Sequence, residues 1–159
     1  MNTIFRVIGI LLVVGVFVSS QDSAAQDNAA EEKRICTATD LVGSWKMVQQ
    51  RGKDVDTTDP WFYEHQRYIF YKDGSVRHMS STQPITKDAE LMEIGPATSR
   101  YVVNKGWLTI TAAQVPDTGA CGIMVTDGAE DSGVQKGDLL LYYMENDEVV
   151  LTRHWKKLK

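Results

Sequence analysis

The chain has few of the residues on which metal sites and surfaces for anionic partners depend. Its 159 residues include three histidines and two cysteines, and the formal net charge at pH 7 is −4. His65, His78 and His154 are scattered and none is paired at ligand spacing, so we expect neither a metal site nor a cofactor. Lysine and arginine cluster only over residues 153–159, which argues against binding to nucleic acid or to an anionic membrane surface.

Motifs for catalysis are also lacking. The chain has no glycine-rich phosphate loop, and Ser80 and Ser81 beside His78 lack the sharp turn that activates a serine nucleophile. The carboxylates are concentrated in residues 54–64 and 127–131, a pattern typical of solvated loops. We therefore expect a protein without enzymatic activity.

The long apolar run of the chain lies at the N-terminus. Arg6 precedes an apolar stretch over residues 7–18, and the small residues 23–25 come before Gln26. This arrangement predicts a secretory signal peptide over residues 1–25. The apolar stretch is shorter than the roughly 20 residues that span a bilayer, so we expect a periplasmic or secreted protein with no stable membrane span after cleavage. A retained N-terminal anchor is the alternative.

Two cysteines in an exported chain predict one disulfide. Cys36 lies just before the first predicted strand and Cys121 lies late in the chain. In an oxidising compartment an isolated pair of this kind is usually cross-linked, and two free buried thiols are the alternative. On the chain-entropy model the cross-link would stabilise the fold by about 4–5 kcal/mol.

The body of the chain shows short strands joined by tight turns. Residues 26–40 are predicted to form a flexible leader, and residues 41–159 a single domain. Three hairpins are recognisable around three-residue loops at residues 72–74, 104–106 and 145–147, the first two ending in glycine. Each loop separates two runs of aromatic and β-branched residues, as β-strands require.

Pairing across these loops assigns side chains to faces. A three-residue loop in the last hairpin pairs Tyr143 with Val149 and Leu141 with Leu151. One face then carries Leu139, Leu141, Tyr143, Val149, Leu151 and Arg153, while His154 falls on the outer face. The same rule groups four residues of the first hairpin: Tyr68, Phe70, Val76 and His78. We expect an all-β fold, specifically a small antiparallel up-and-down barrel of about eight strands, and a sandwich is the alternative.

The first strand of this domain opens with a Gly-x-Trp motif, formed by Gly43 and Trp45. The motif resembles the opening motif of the lipocalin and wider calycin families. Arg153 on the last strand is in the place of an arginine that packs across this tryptophan in lipocalins. The resemblance implies a cation–π pair between Trp45 and Arg153 that closes one end of the barrel.

The resemblance covers residues 41–158 and is to the lipocalin-like domains of exported bacterial proteins. Two features of the larger animal lipocalins are absent from the sequence, namely a helix after the last strand and a Thr-Asp-Tyr motif. The resemblance therefore implies a compact bacterial barrel rather than a transport lipocalin.

An eight-stranded barrel holds packed side chains or one small ligand. Inward tyrosine and histidine side chains need polar partners, which a ligand would supply. The long loop between the first two strands carries three consecutive aromatic residues. The lipocalin resemblance implies that this loop lies over the open end, as a lid or with its aromatics tucked onto the barrel. The candidate lid and cavity residues are Trp61, Phe62, Tyr63, Tyr68, Phe70, His78 and Tyr143.

These features predict an exported barrel that binds a small apolar or amphipathic molecule at its open end. The alternative is a protein-interaction module. Small exported barrels with one disulfide also resemble bacterial inhibitors of secreted metalloproteases, in which an N-terminal tail enters the protease cleft. Residues 26–34 would act as that tail, and removing them would then abolish inhibition without affecting small-molecule binding.

Overall fold

A computed structural model describes residues 32–53, 55–86, 99–112 and 115–159. The predicted signal peptide, residues 1–25, and the first part of the predicted leader, residues 26–31, lie outside the described residues. The strands are β1 (Lys33–Ile35), β2 (Gly43–Gly52), β3 (His65–Phe70), β4 (Ser75–Ser81), β5 (Ser99–Asn104), β6 (Trp107–Ala112), β7 (Val115–Met124), β8 (Leu139–Glu145) and β9 (Glu148–Lys157). A short helix, α1 (Ala38–Leu41), precedes β2, and a 3₁₀ turn, η1 (Pro60–Phe62), precedes β3.

Strands β2 to β9 form a closed barrel. Each pairs antiparallel with its neighbour in chain order, and β9 returns to pair with β2. The predicted antiparallel up-and-down barrel of eight strands is confirmed. Alternation of buried and exposed side chains along β2 and β5 shows why these segments form strands with one face on a common core.

The segment before the barrel is part of the fold. Strand β1 pairs with the end of β7, and Cys36 forms the predicted disulfide with Cys121 of β7, with 5.5 Å between their Cα atoms. Thr37 and Asp40 then cap α1 reciprocally, and Arg34 binds the Asp40 carboxylate at 2.6 Å. Residues 33–40 therefore belong to the ordered structure, and their prediction as flexible leader is wrong.

The first hairpin has the predicted register, and the second does not. Tyr68 pairs with His78 in the first hairpin, so Tyr68, Phe70, Val76 and His78 share one face. In the second hairpin Asn104 pairs with Trp107 across a two-residue turn. Lys105 and Gly106 both have positive φ, 48° and 80°, as a type I′ turn requires.

The last hairpin combines a two-residue turn with a bulge. Asn146 and Asp147 form the turn with φ of 49° and 65°, and the register shifts between Tyr143 and Met144. As a result Leu141 pairs with Arg153 and Tyr143 with Leu151, two residues from the predicted partners. An even shift keeps the inward faces as predicted, but the bulge turns Val149 outward, where it is 49% exposed.

One end of the barrel is closed by α1 and Trp45. The Trp45 indole is buried and donates a hydrogen bond to the Leu41 carbonyl oxygen at 2.6 Å. The amine of Lys157 lies 5.2 Å from the centre of that ring. Gly43 has φ of +124°, a backbone conformation that residues with a side chain rarely adopt, so glycine is favoured where the chain enters the barrel.

The cation–π pair implied for Trp45 and Arg153 is wrong. Trp45 pairs across β2 and β9 with Lys157, whereas Arg153 pairs with Gln50. Lys157 comes four residues after Arg153 on β9, which corresponds to about 13 Å along the strand. Lysine provides the cation at the closed end, and Arg153 lies toward the opposite end, where η1 covers the barrel.

The outer face of β9 is covered by the connection between β7 and β8. His154 points outward, as predicted, yet it is 5% exposed because its Nε2 meets the Asp138 carboxylate at 2.7 Å. This contact ties the end of the connection to the barrel wall. Among the described residues neither helical segment has the length and apolarity needed to cross a membrane.

Candidate functional site

The open end of the barrel is covered by the connection that contains η1. Asp59 begins the turn by accepting a hydrogen bond from the Trp61 backbone N–H at 2.8 Å, and Pro60 fixes the first position. This local geometry sends the Trp61 indole into the mouth. Its ring centre lies 5.8 Å from that of His78 and 6.2 Å from that of Tyr143, both in edge-to-face geometry.

Three side-chain amide contacts hold this turn on the rim. Gln66 Nε2 donates to the carbonyl oxygens of Trp61 and Tyr63 at 2.8 and 3.0 Å. Gln50 Nε2 donates to the Phe62 carbonyl oxygen at 2.6 Å. The turn is thus bound through its backbone carbonyls, and the Trp61 side chain fills the space that they frame.

Arg153 lies directly beneath Trp61. Its guanidinium carbon is 4.3 Å from the centre of the indole, and its Nη2 donates a hydrogen bond to the Trp61 carbonyl oxygen. The side chain is 0% exposed. Arg153 therefore contacts both the ring and the backbone of the residue that covers the mouth.

Several buried donors around Arg153 have no partner among the described residues. Nε and Nη1 of Arg153 make no hydrogen bond, and neither does the hydroxyl of Tyr68. Buried polar groups are nearly always paired, because leaving one unpaired costs about 1–3 kcal/mol. The unpaired donors of Arg153 and Tyr68 are an exception to the pairing of buried polar groups, and they require an explanation.

We call the space beneath Trp61 the polar chamber. It is defined by the side chains of Gln66, Tyr68, His78, Asp117, Tyr143 and Arg153, with Trp61 as its roof. His78 Nε2 and Gln66 Oε1 are 3.2 Å apart, and the His78 ring stacks on Tyr68 at 4.6 Å. The chamber thus contains one cation, one carboxylate and two phenols. Trp61 covers it from above, and the barrel wall encloses it on its other sides.

Burial controls the charge of these groups. Desolvation, with a smaller effect from the Arg153 cation, lowers the pKa of His78 to about 4, so His78 is neutral at physiological pH. Desolvation raises the pKa of Asp117, and the Arg153 cation opposes that rise. Desolvation and the Asp117 carboxylate raise the pKa of Tyr143. Arg153 is consequently the positive centre of the chamber.

With Trp61 in place, little free space is left inside. Beside Asp117 and Tyr143 a crevice is present that is too narrow for a water molecule. Below the chamber, toward Trp45, the interior is a packed apolar core that includes Phe70 and Trp155. Phe70 contacts Tyr68 and Tyr101 in this core, at ring distances of 5.3 and 4.9 Å.

The predicted cavity and lid residues divide accordingly. The chamber brings together Trp61, Tyr68, His78 and Tyr143. Phe70 belongs to the core instead. Phe62 and Tyr63 sit on the rim and line an open groove of about 600 Å³ on the outer side of the turn. The centre of the Phe62 ring also lies 5.9 Å from the guanidinium carbon of Arg153. The turn therefore packs on the barrel with one side and has free space on the other.

Gln66, Asp117 and the chamber role of Arg153 were not predicted from the sequence. Gln66 lies two residues before Tyr68 on β3, so strand alternation was the signal that places it on the same face. Asp117 lies in a strand that contains proline and glycine, which obscures its periodicity. Within the part of the chain that the structure describes, no cluster of three or more His, Cys, Asp or Glu side chains could hold a metal ion.

Comparison of the chain with protein-family models, with curated proteins and with solved structures finds no match.

Proposed function

We propose that this chain is an exported barrel that binds a small amphipathic molecule in the polar chamber, with Trp61 as a displaceable lid. The observation that carries the proposal is the buried Arg153 guanidinium, whose described partners leave two of its nitrogens unpaired. Replacing buried charged groups by apolar residues of similar volume is often neutral or stabilising, so a purely structural barrel would not need a cation at this position. In a binding protein, the unpaired N–H groups of this cation would donate hydrogen bonds to the ligand.

Trp61 is suited to be a lid because it fills the chamber from outside the barrel wall. Its turn is not part of the sheet and is attached through hydrogen bonds from Gln50, Gln66 and Arg153 to its carbonyl oxygens. The groove on the far side of the turn leaves space into which it would withdraw. An enclosed space of about 150 Å³ holds a molecule the size of benzene, and an indole that leaves would vacate space of that order.

The disulfide and the predicted signal peptide support an extracytoplasmic site of action. Cys36–Cys121 cross-links residues 85 positions apart, and disulfides persist in oxidising compartments. We therefore place the ligand outside the cytoplasm, in the periplasm or the medium. The lipocalin-like relationship, which rests on Gly43, Trp45 and the barrel topology, is part of the same proposal.

Uptake of a neutral fluorescent probe tests this function. N-phenyl-1-naphthylamine gains fluorescence in apolar surroundings, and we expect the wild-type chain to bind it. A desolvated cation–π contact such as that between Trp61 and Arg153 contributes about 0.5–2 kcal/mol. Trp61→Ala removes the need to displace the indole, so the affinity is expected to rise about two- to thirtyfold.

Trp107→Ala is the matched control. Trp107 is 44% exposed at the start of β6, away from the mouth, so its removal should leave probe affinity unchanged. Absence of probe binding in both the wild type and Trp61→Ala would contradict the proposed function. An equal response to Trp61→Ala and Trp107→Ala would contradict the location of the site.

A further inference from the structure

Arg153 has more hydrogen-bonding capacity than its surroundings use. A guanidinium carries five N–H donors. Among the described residues Arg153 donates to the Trp61 carbonyl oxygen through Nη2 and makes a hydrogen bond with the Tyr143 hydroxyl, while Nε and Nη1 have no acceptor. A buried cation is stable only when it is paired and hydrogen-bonded. Asp117 acts on Arg153 through space, but these two described residues form no ion pair. The missing partner is therefore an acceptor with negative charge.

We infer that the ligand is a small monocarboxylate, whose carboxylate binds Arg153 and whose apolar part replaces the Trp61 indole. This inference rests on the proposed function and names the chemical class of its ligand. A carboxylate matches the planar fork of a guanidinium with two parallel N–H···O bonds. The unpaired hydroxyl of Tyr68 supplies a further donor on the chamber wall.

Trp61 itself indicates the shape of such a ligand. Its ring lies over the guanidinium while its own carbonyl oxygen accepts from Nη2 of the same residue. Indole-3-propionate contains the same ring and the same two linking carbons, and its carboxylate carbon corresponds to the Trp61 carbonyl carbon. The free acid offers Arg153 two charged oxygens where the lid offers one neutral oxygen.

The other ionisable groups of the chamber affect how strongly it binds a carboxylate. His78 is neutral at pH 7 because burial lowers its pKa to about 4, so it adds no positive charge. The negative charge of Asp117, a residue of β7, repels a carboxylate that enters the chamber. Tyr143, beside Asp117, remains a neutral phenol because its pKa is raised. Asp117→Asn removes the opposing charge and is expected to strengthen carboxylate binding.

Isothermal titration calorimetry of the wild-type chain at pH 7 with indole-3-propionate and with its methyl ester tests the inference. We expect the acid to bind at least tenfold more tightly than the ester. Asp117→Asn should raise the affinity for the acid without raising that for the ester. Arg153→Met should bring the two affinities together, and Trp107→Ala should leave both unchanged.

The outcomes separate the inference from the function on which it rests. Equal binding of acid and ester, or tighter binding of the ester, overturns the carboxylate inference and leaves the binding function standing. Failure of both indoles, when N-phenyl-1-naphthylamine still binds, also overturns the carboxylate inference. Failure of all three molecules overturns the proposed function. The comparison of acid with ester in the wild type tests the carboxylate inference even if Arg153→Met does not fold.

Discussion

Replacement of Arg153 by methionine separates a structural role for this residue from a binding role. In the structure Arg153 is fully buried, and its Nε and Nη1 have no partner among the described residues. Methionine has a similar length and no charge, so the substitution removes the unpaired donors while keeping most of the packing. The structure therefore predicts a small effect on stability and a large effect on binding.

The expected magnitude follows from the contacts of Arg153. Removing two unpaired buried donors stabilises the fold by about 2–6 kcal/mol, at about 1–3 kcal/mol each. Loss of the charged hydrogen bond to the Trp61 carbonyl costs about 1.5–3 kcal/mol. Of the three cation–π contacts of Arg153, the closest is with Trp61, and its loss costs about 0.5–2 kcal/mol. Asp117 also loses a nearby cation, but it is only partly buried and retains access to solvent. We expect the free energy of unfolding to change by less than about 2 kcal/mol.

Urea unfolding at pH 7, followed by the fluorescence of the four tryptophans, measures this change. If the free energy of unfolding falls with urea concentration at the same slope in wild type and Arg153→Met, the two proteins expose the same surface area on unfolding. Breaking a buried ion pair that holds a fold together typically costs 3–5 kcal/mol. A loss of that size for Arg153→Met would refute the assignment of Arg153 to ligand binding.

Three further predictions concern the frame of the barrel. Trp45→Ala should lower the free energy of unfolding by about 3–5 kcal/mol because it empties the closed end, and a variant that melts like wild type would exclude this role. Acidification from pH 6.5 to 4 should remove about 3 kcal/mol of stability, because His78 becomes protonated in the unfolded chain while its pKa in the fold is only about 4. Urea unfolding at each pH measures this loss. His78→Gln should abolish most of it, whereas the control His65→Gln should retain it. Replacing Cys36 and Cys121 together by serine should cost about 4–5 kcal/mol in oxidising buffer, and a change below about 1 kcal/mol would show that the cross-link constrains little of the unfolded chain.

The sequence was informative wherever local chemistry determines the structure. Alternating strands and turn residues predicted the barrel and the face shared by Tyr68 and His78. Oxidising conditions and a lone pair of cysteines predicted the disulfide. The turn at residues 104–106 was misjudged because a final glycine suits both a three-residue loop and the two-residue type I′ turn that forms. The choice between them depends on how β5 and β6 pair with their outer neighbours.

Long-range register was the main source of error at the site. The bulge in the last hairpin shifts the partners of Tyr143 and turns Val149 outward, and nothing in the local sequence marks it. The same difficulty put Arg153 beside Trp45, since that pairing depends on which residue of β9 meets β2. Lys157 holds that position. Strand alternation in the last hairpin predicted the correct face of Arg153, whereas the family resemblance placed it at the wrong end of the barrel.

The lid offers the most direct test of the account. Labelling the chain with 5-fluorotryptophan gives one ¹⁹F resonance for each of its four tryptophans, and Trp61→Phe identifies that of Trp61. Addition of indole-3-propionate is predicted to shift the Trp61 resonance toward the position of a solvent-exposed indole, while the resonance of Trp107 stays in place. Saturating ligand that leaves the Trp61 resonance unchanged would contradict the claim that binding displaces this ring from the mouth of the barrel.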